Sequence, residues 1–180
     1  MAKIDLHDDI SYDLDQTYHT FRDDLAKLAT YLPDIEDIVV EKHERTDDAT
    51  VSVVNLWKAS ASEIPAIVSK FITPDKLQWT DYATWHDGTT SCDWNLVLGF
   101  FPEAIKCKGT TTYSENGDKT HVHITGDLQV DASKIPGVPR LLSGKLGSAV
   151  EKFVVKMVTP NLKNVNRGME RYLAAQSKGD

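Results

Sequence analysis

The chain of 180 residues is short of several things that would point quickly to a function. It has only two cysteines, Cys92 and Cys107, and they lack CxxC spacing. Two thiols make neither a disulfide framework nor a complete zinc site. They read as reduced, buried side chains, with a single disulfide open if their strands are neighbours. Positive charge is scarce: the formal net charge is −7 and the pI is about 5.3, which excludes a general nucleic-acid-binding role. No run approaches the roughly 20 apolar residues that span a bilayer, so stable membrane insertion is not expected. The opening Met-Ala-Lys-Ile-Asp-Leu-His-Asp-Asp places acids where a secretory leader needs an apolar core, so a cytoplasmic location is expected. Also missing are internal repeats, low-complexity tracts and any Pro/Gly-rich linker, and residues 1–180 are read as one domain. No Ser-His-Asp spacing, glycine-rich phosphate loop or HExxH occurs.

What is present is patterned hydrophobicity. Ile4, Leu6, Ile10 and Tyr12 alternate as a first strand, with Asp8 interrupting the apolar face. Leu14 to Leu32 reads as one helix with Tyr18, Phe21, Leu25, Leu28 and Leu32 on a face, Asp13 or Asp15 as cap and Pro33 as stop. Strands follow over about Ile38 to Arg45 and Thr50 to Ala59. Ser62 then caps a predicted short helix, Ile64 to Phe71. Four more strands are Leu77 to His86, Cys92 to Phe100, Ile105 to Tyr113 and Lys119 to Val130, separated by turn chemistry such as Asp87-Gly88 and Asn116-Gly117-Asp118. The last stretch carries apolar residues at helical spacing: Leu142, Leu146, Val150, Phe153, Val154, Met157 and Val158, then Leu162, Val165, Met169, Tyr172 and Leu173. Such a stripe must bury a face against the preceding strands. Pro160 should kink this helix or split it.

Strands in a meander with helices to one side make an α+β fold. This order resembles the helix-grip fold of the START/SRPBCC superfamily, whose relatives include START lipid-transfer domains, the birch-pollen-allergen type and polyketide cyclase-like proteins. The resemblance rests on the architecture and on Val130 to Phe153, where a last strand passes through Pro136-Gly137-Val138-Pro139 and Gly144-Lys145-Leu146-Gly147 into the helix. It implies a curved sheet of about seven antiparallel strands wrapped around a long C-terminal helix, with a hydrophobic cavity between them. It brings no catalytic residue and no cofactor.

Parity names the residues expected to line that cavity. Cys92, Trp94, Leu96, Leu98 and Phe100 share one face of their strand, with Asp93 and Asn95 on the other. Trp79 and Trp85 share parity on the strand before, and Ile124 and Leu128 on the last one. The expected ligand-binding set is Trp79, Trp85, Trp94, Leu96, Leu98, Tyr113, Ile124, Leu128, Val150, Phe153 and Met157. The same side chains would serve equally as core.

Polar residues among these faces would orient a ligand or move protons. Asn55, Asp81 and Tyr113 are the candidates, and an acid enclosed beside tryptophans would have a raised pKa. An outward or hydrogen-bonded structural role is the preferred reading of Asp81. His121 and His123 project to one side and would need a third ligand, such as His86 or an Asp on a neighbouring strand, to hold a metal. A solvated polar face is the better account, and no metal site is expected. The acidic pairs Asp8-Asp9, Asp23-Asp24 and Asp47-Asp48 lack calcium-loop spacing. The leading expectation is carriage or sensing of a hydrophobic small molecule or lipid. A cyclase- or aromatase-like enzyme using the same cavity is the alternative, and an interaction protein with an exposed apolar face the third.

Overall fold

The computed structural model describes residues 2–60, 72–139, 141 and 143–178, without the side chains of 157, 158, 160 and 161. The predicted helix Ile64 to Phe71, its Ser62 cap and the first stripe position, Leu142, lie outside the described residues.

Seven strands build one sheet: β1 (Ala2–Ile10), β2 (Ile35–Asp47), β3 (Thr50–Ala59), β4 (Gln78–His86), β5 (Ser91–Leu98), β6 (Ile105–Asn116) and β7 (Lys119–Val130). Their order is β1-β7-β6-β5-β4-β3-β2, and every neighbouring pair is antiparallel. From β2 to β7 the chain is a meander. β1 and β2 therefore form the two edges, and the segment between them must cross the open side of the sheet. Three register irregularities in β2 fall between Ile35 and Asp37, Val40 and Lys42, and Arg45 and Asp47. Such bulges bend and twist an edge strand, and β2 is exposed from Val39 onward.

The crossing segment departs from the single helix expected over Leu14 to Leu32. It consists of α1 (Leu14–Asp23) and a 3₁₀ segment, Leu25–Tyr31. Asp13 is the cap: its side chain accepts the Gln16 backbone N–H at 2.9 Å. Asp24 ends α1 with its backbone N–H on Thr20 O. The apolar spacing persists across Asp24, so periodicity alone does not reveal the break.

The C-terminal helix, α2 (Ser143–Gln176), runs unbroken through position 160. Of the two outcomes expected at Pro160, the split does not occur. Leu146, Val150, Phe153, Val154, Met169, Tyr172 and Leu173 are buried, as the stripe requires. Together with the inner faces of the strands they form one hydrophobic core. The sheet parity also holds: Trp94 is buried and Leu96 half-buried, while Asp93 and Asn95 are exposed.

Two glycines make room for Trp94. Its register partner across the sheet is Gly109, and Gly109 pairs with Gly126. A Cβ on Gly109 would meet Thr125 O at 2.0 Å and the Trp94 ring at 2.4 Å. A Cβ on Gly126 would meet that ring at 2.7 Å. The six-membered ring of the indole thus comes up against Gly109 and Gly126, a place only glycine leaves open.

Candidate functional site

Between the sheet and the helical layer lies a cavity of about 120 Å³. Its floor comes from Trp57, Trp79, Asp81, Trp85, Cys92, Trp94, Leu96, Thr111, Tyr113, Val122 and Ile124. Phe21 of α1, Leu25, and Leu162, Val165 and Asn166 of α2 roof it. Cross-strand register explains the floor. Trp57, Trp79 and Leu98 form one row, and Asn55, Asp81, Leu96, Cys107 and Leu128 the next. Val51, Trp85, Cys92, Thr111 and Ile124 form a third.

Aromatic contacts hold both ends. Trp57 stacks on Trp79 with ring centroids 5.5 Å apart and planes 15° apart. At the other end Trp85 stacks on Tyr113 at 5.9 Å, and Tyr18 meets both edge-on. Such pairs contribute about 0.5–1.5 kcal/mol each beyond their burial, so the walls are stiff.

Of the expected set, Trp79, Trp85, Trp94, Leu96, Tyr113 and Ile124 meet around this cavity. Leu98, Leu128, Val150 and Phe153 are buried but do not line it. Phe153 packs instead near Phe100, at 6.1 Å between ring centroids. The Met157 side chain lies outside the described residues. The part of α2 that roofs the cavity is the later one, around Leu162 to Asn166. Periodicity marks the buried face of a helix but not which turn stands over a void. Asn166 escapes a reading of the sequence because a single amide on an apolar stripe carries no pattern. It is 3 % exposed, and its Nδ2 donates to Asp8 Oδ2 at 3.0 Å. Arg167 also donates to Asp8, which explains the acid on the inner face of β1.

The polar groups are the chemically informative part. The outward or hydrogen-bonded reading of Asp81 fails: it lines the cavity, and its Oδ1 is buried without a hydrogen-bond partner. Burial pushes the Asp81 carboxyl up to about 7. Asn55, directly opposite Asp81 on β3, is 2 % exposed with an unpartnered Oδ1. Trp57 Nε1 is likewise buried without a partner. Among the described residues, register thus gathers three unsatisfied polar atoms on two adjacent strands. By contrast Trp94 Nε1 donates to Thr111 Oγ1 at 3.2 Å. Burial raises the Tyr113 hydroxyl well above the usual tyrosine range.

Cys92 and Cys107 sit on neighbouring strands, but register pairs Cys92 with Thr111 and Cys107 with Leu96. Both are free, and burial lifts the Cys107 thiol to about 11. His86, considered above as a metal ligand beside His121 and His123, bonds to Asp93 instead, at 3.2 Å. None of the described helices is long and apolar enough to cross a membrane.

A signal not read from sequence is the charged clasp at the Asp87 turn. Arg22, buried on α1, donates to Asp87 Oδ1 at 2.7 Å and to both oxygens of Asp23. Tyr18 Oη and Arg45 also donate to Asp87. The clasp fastens α1 over the cavity to the β4–β5 turn.

The same architecture is found in solved structures. TTHA0849 of Thermus thermophilus superposes with a TM-score of 0.67 at 20 % identity, over 98 % of this chain and 99 % of that one. The Zhui aromatase/cyclase of Streptomyces sp. R1128 gives 0.62 at 13 %, over 96 % and 95 %. Ginseng major latex-like protein 151 of Panax ginseng gives 0.56 at 14 %, over 95 % and 96 %. At these identities the likeness establishes the helix-grip fold. No curated protein matches the sequence. Residues 6–173 match the family model described as Protein of unknown function (DUF2505), and the chain belongs to that family.

Proposed function

We propose that this protein carries or senses a small hydrophobic molecule, or one end of a lipid, in the cavity between the sheet and α2. The observation that supports this is an aromatic-walled void into whose wall unsatisfied polar atoms are built. Buried polar groups are normally paired, because an orphan costs about 1–3 kcal/mol. Trp57 and Asp81 line the void, with Asn55 beside Asp81 on β3 but outside the lining, and a ligand hydroxyl that reached Asp81 would meet an acceptor. The volume, about 120 Å³, is below the several hundred Å³ expected of a drug-sized site. It is near the roughly 150 Å³ that suffices for one benzene ring in an engineered cavity. Burying a ring of about 150–250 Å² at about 25 cal/mol per Å² contributes roughly 4–6 kcal/mol. Even before the cost of association, about 4–6 kcal/mol corresponds to a Kd between about 1 mM and tens of µM, so binding of one ring is millimolar or weaker unless polar contacts add to it. The buried free thiols of Cys92 and Cys107 suit the reducing cytoplasm.

The experiment is native mass spectrometry of the purified chain, followed by titration with small phenols and with matched hydrocarbons. Phenols should bind more tightly, and Val165→Phe, which fills the roof, should abolish binding while leaving the fold intact. Binding of neither class, or binding indifferent to Val165→Phe, overturns the reading.

A second reading is an enzyme that folds or rearranges a reactive ligand, as the aromatase/cyclase neighbour's name suggests for its own case. It is favoured by one observation: the pKa of Asp81 is held near neutrality, where a general base works best, and Tyr113 shares its cavity.

A further inference from the structure

We propose that Asp5, His7 and His123, on the outer face of the sheet, form a binding site for one divalent transition-metal ion, zinc fitting best. The site is independent of the cavity. Among the described residues β1 pairs only with β7, and the register sets His7 directly opposite His123, with Asp5 two residues before His7. All three side chains point outward, to the same side as His121 and Asp9. Asp5 Oδ1 lies 2.9 Å from His123 Nε2 and 3.5 Å from His7 Nε2, and the three ligand atoms lie within 4.8 Å of one another. Zinc bonds of about 2.0–2.2 Å at tetrahedral angles set ligand atoms roughly 3.3–3.5 Å apart. Two edges of that tetrahedron are therefore close to formed, and water can complete the fourth corner.

The proton arrangement strengthens the case. His121 Nδ1 lies 2.8 Å from Asp9 Oδ1, and the carboxylate can only accept, so Nδ1 carries the proton. In neutral His121, Nε2 is then an acceptor. With both rings neutral, His7 Nδ1, 3.1 Å away, donates to it. His7 Nε2 is left with a lone pair aimed at the Asp5 carboxylate, acceptor against acceptor. A cation between them resolves the conflict, either a proton on His7 Nε2 or a metal ion in its place. An outer chain of histidine and carboxylate that fixes a ligand's tautomer is the usual support of a metal-bound imidazole. His7 and His123 rings stack at 3.9 Å with an 11° tilt, so their lone pairs run side by side, and one ring turns about its side-chain torsions to bring both nitrogens onto one ion. On ligation the proton of His123 moves from Nε2 to Nδ1. The ion would also pin the edge strand β1 to β7.

The test uses the full chain without a histidine tag, stripped with a chelator and titrated with Co²⁺. The expected result is one Co²⁺ per chain with the visible absorption of a tetrahedral site, displaced by equimolar Zn²⁺, and a higher melting temperature with metal. Removing a direct ligand by His123→Gln should weaken binding more than about 100-fold, whereas His121→Gln, which removes an outer bond, should weaken it about 10- to 100-fold. His86→Gln should change nothing. Independently of any variant, zinc titration of the unaltered chain should shift the ring signals of His7 and His123 in NMR spectra while those of His19 and His43 stay put. Absence of the band, a band that survives both His7→Gln and His123→Gln, or ring shifts spread over all histidines would overturn the site.

Discussion

Asp81 is the residue on which most depends. An acid whose folded-state pKa lies above its ordinary value holds its proton more tightly when folded. The ordinary value is 3.8 and the folded value about 7, so stability should be greatest below about pH 4 on this account, fall as the pH rises through that window, and level off above 7. Three pH units at about 1.4 kcal/mol each bound the effect at about 4 kcal/mol. Asp81→Asn removes the penalty: it should stabilise the protein at pH 8 and flatten the profile between pH 5 and 8, as urea unfolding at both values will show. A variant no more stable at pH 8 would mean that the carboxylate finds water or a partner. Gly109 makes the opposite case, since its Cβ would strike backbone. Gly109→Ala should destabilise by more than about 2 kcal/mol and disturb Trp94 fluorescence, the range of overpacked sites with little room to relax.

Among the elements, α1 is held by charge as much as by packing. Hydrogen bonds and charge from Arg22 and Arg45 outweigh burial at Asp87 and keep its carboxyl below the usual range. A lowered pKa supplies stability above the unfolded value that is lost as pH falls through the folded one, so this clasp should release below about pH 4. Asp87→Ala leaves Arg22, at 9 % side-chain exposure, with only Asp23. The expected cost is about 2–4 kcal/mol, with α1 amides exchanging hydrogen first. Sequence patterning located the start of α1, with Asp13 or Asp15 as its cap, but not this clasp, because Arg22, Arg45 and Asp87 are brought together from three separate elements. The break at Asp24 was equally hidden. A 3₁₀ turn keeps much of the apolar spacing of an α-helix, so the pattern reads through it.

At the level of the whole molecule, the helix and sheet hold each other through Phe153 and the aromatic walls through Phe21 and Val165. Phe153 is 6 % exposed and lies away from the cavity, so Phe153→Asp should unfold the protein or lower its melting temperature steeply rather than abolish binding alone. An unpaired carboxylate there costs several kcal/mol of a total near 5–15 kcal/mol, and thermal melting is the measurement. Alternation within each segment, as in Cys92, Trp94, Leu96 and Leu98, the turn residues between segments and the stripe from Leu146 to Leu173 were enough to determine seven strands, a long closing helix and which faces turn inward, because periods of two and 3.6 are written along the chain itself. Trp79, Trp85, Trp94, Leu96, Tyr113 and Ile124 were legible as inward-facing for the same reason. What the cavity leaves open, which turn of α2 roofs it, that Asn55, Trp57 and Asp81 stand unsatisfied side by side, and that His7 reaches His123 were decided only by tertiary structure. Register and volume depend on which strands are neighbours and on how side chains fill space across the sheet, and neither has a period that one strand or helix can display.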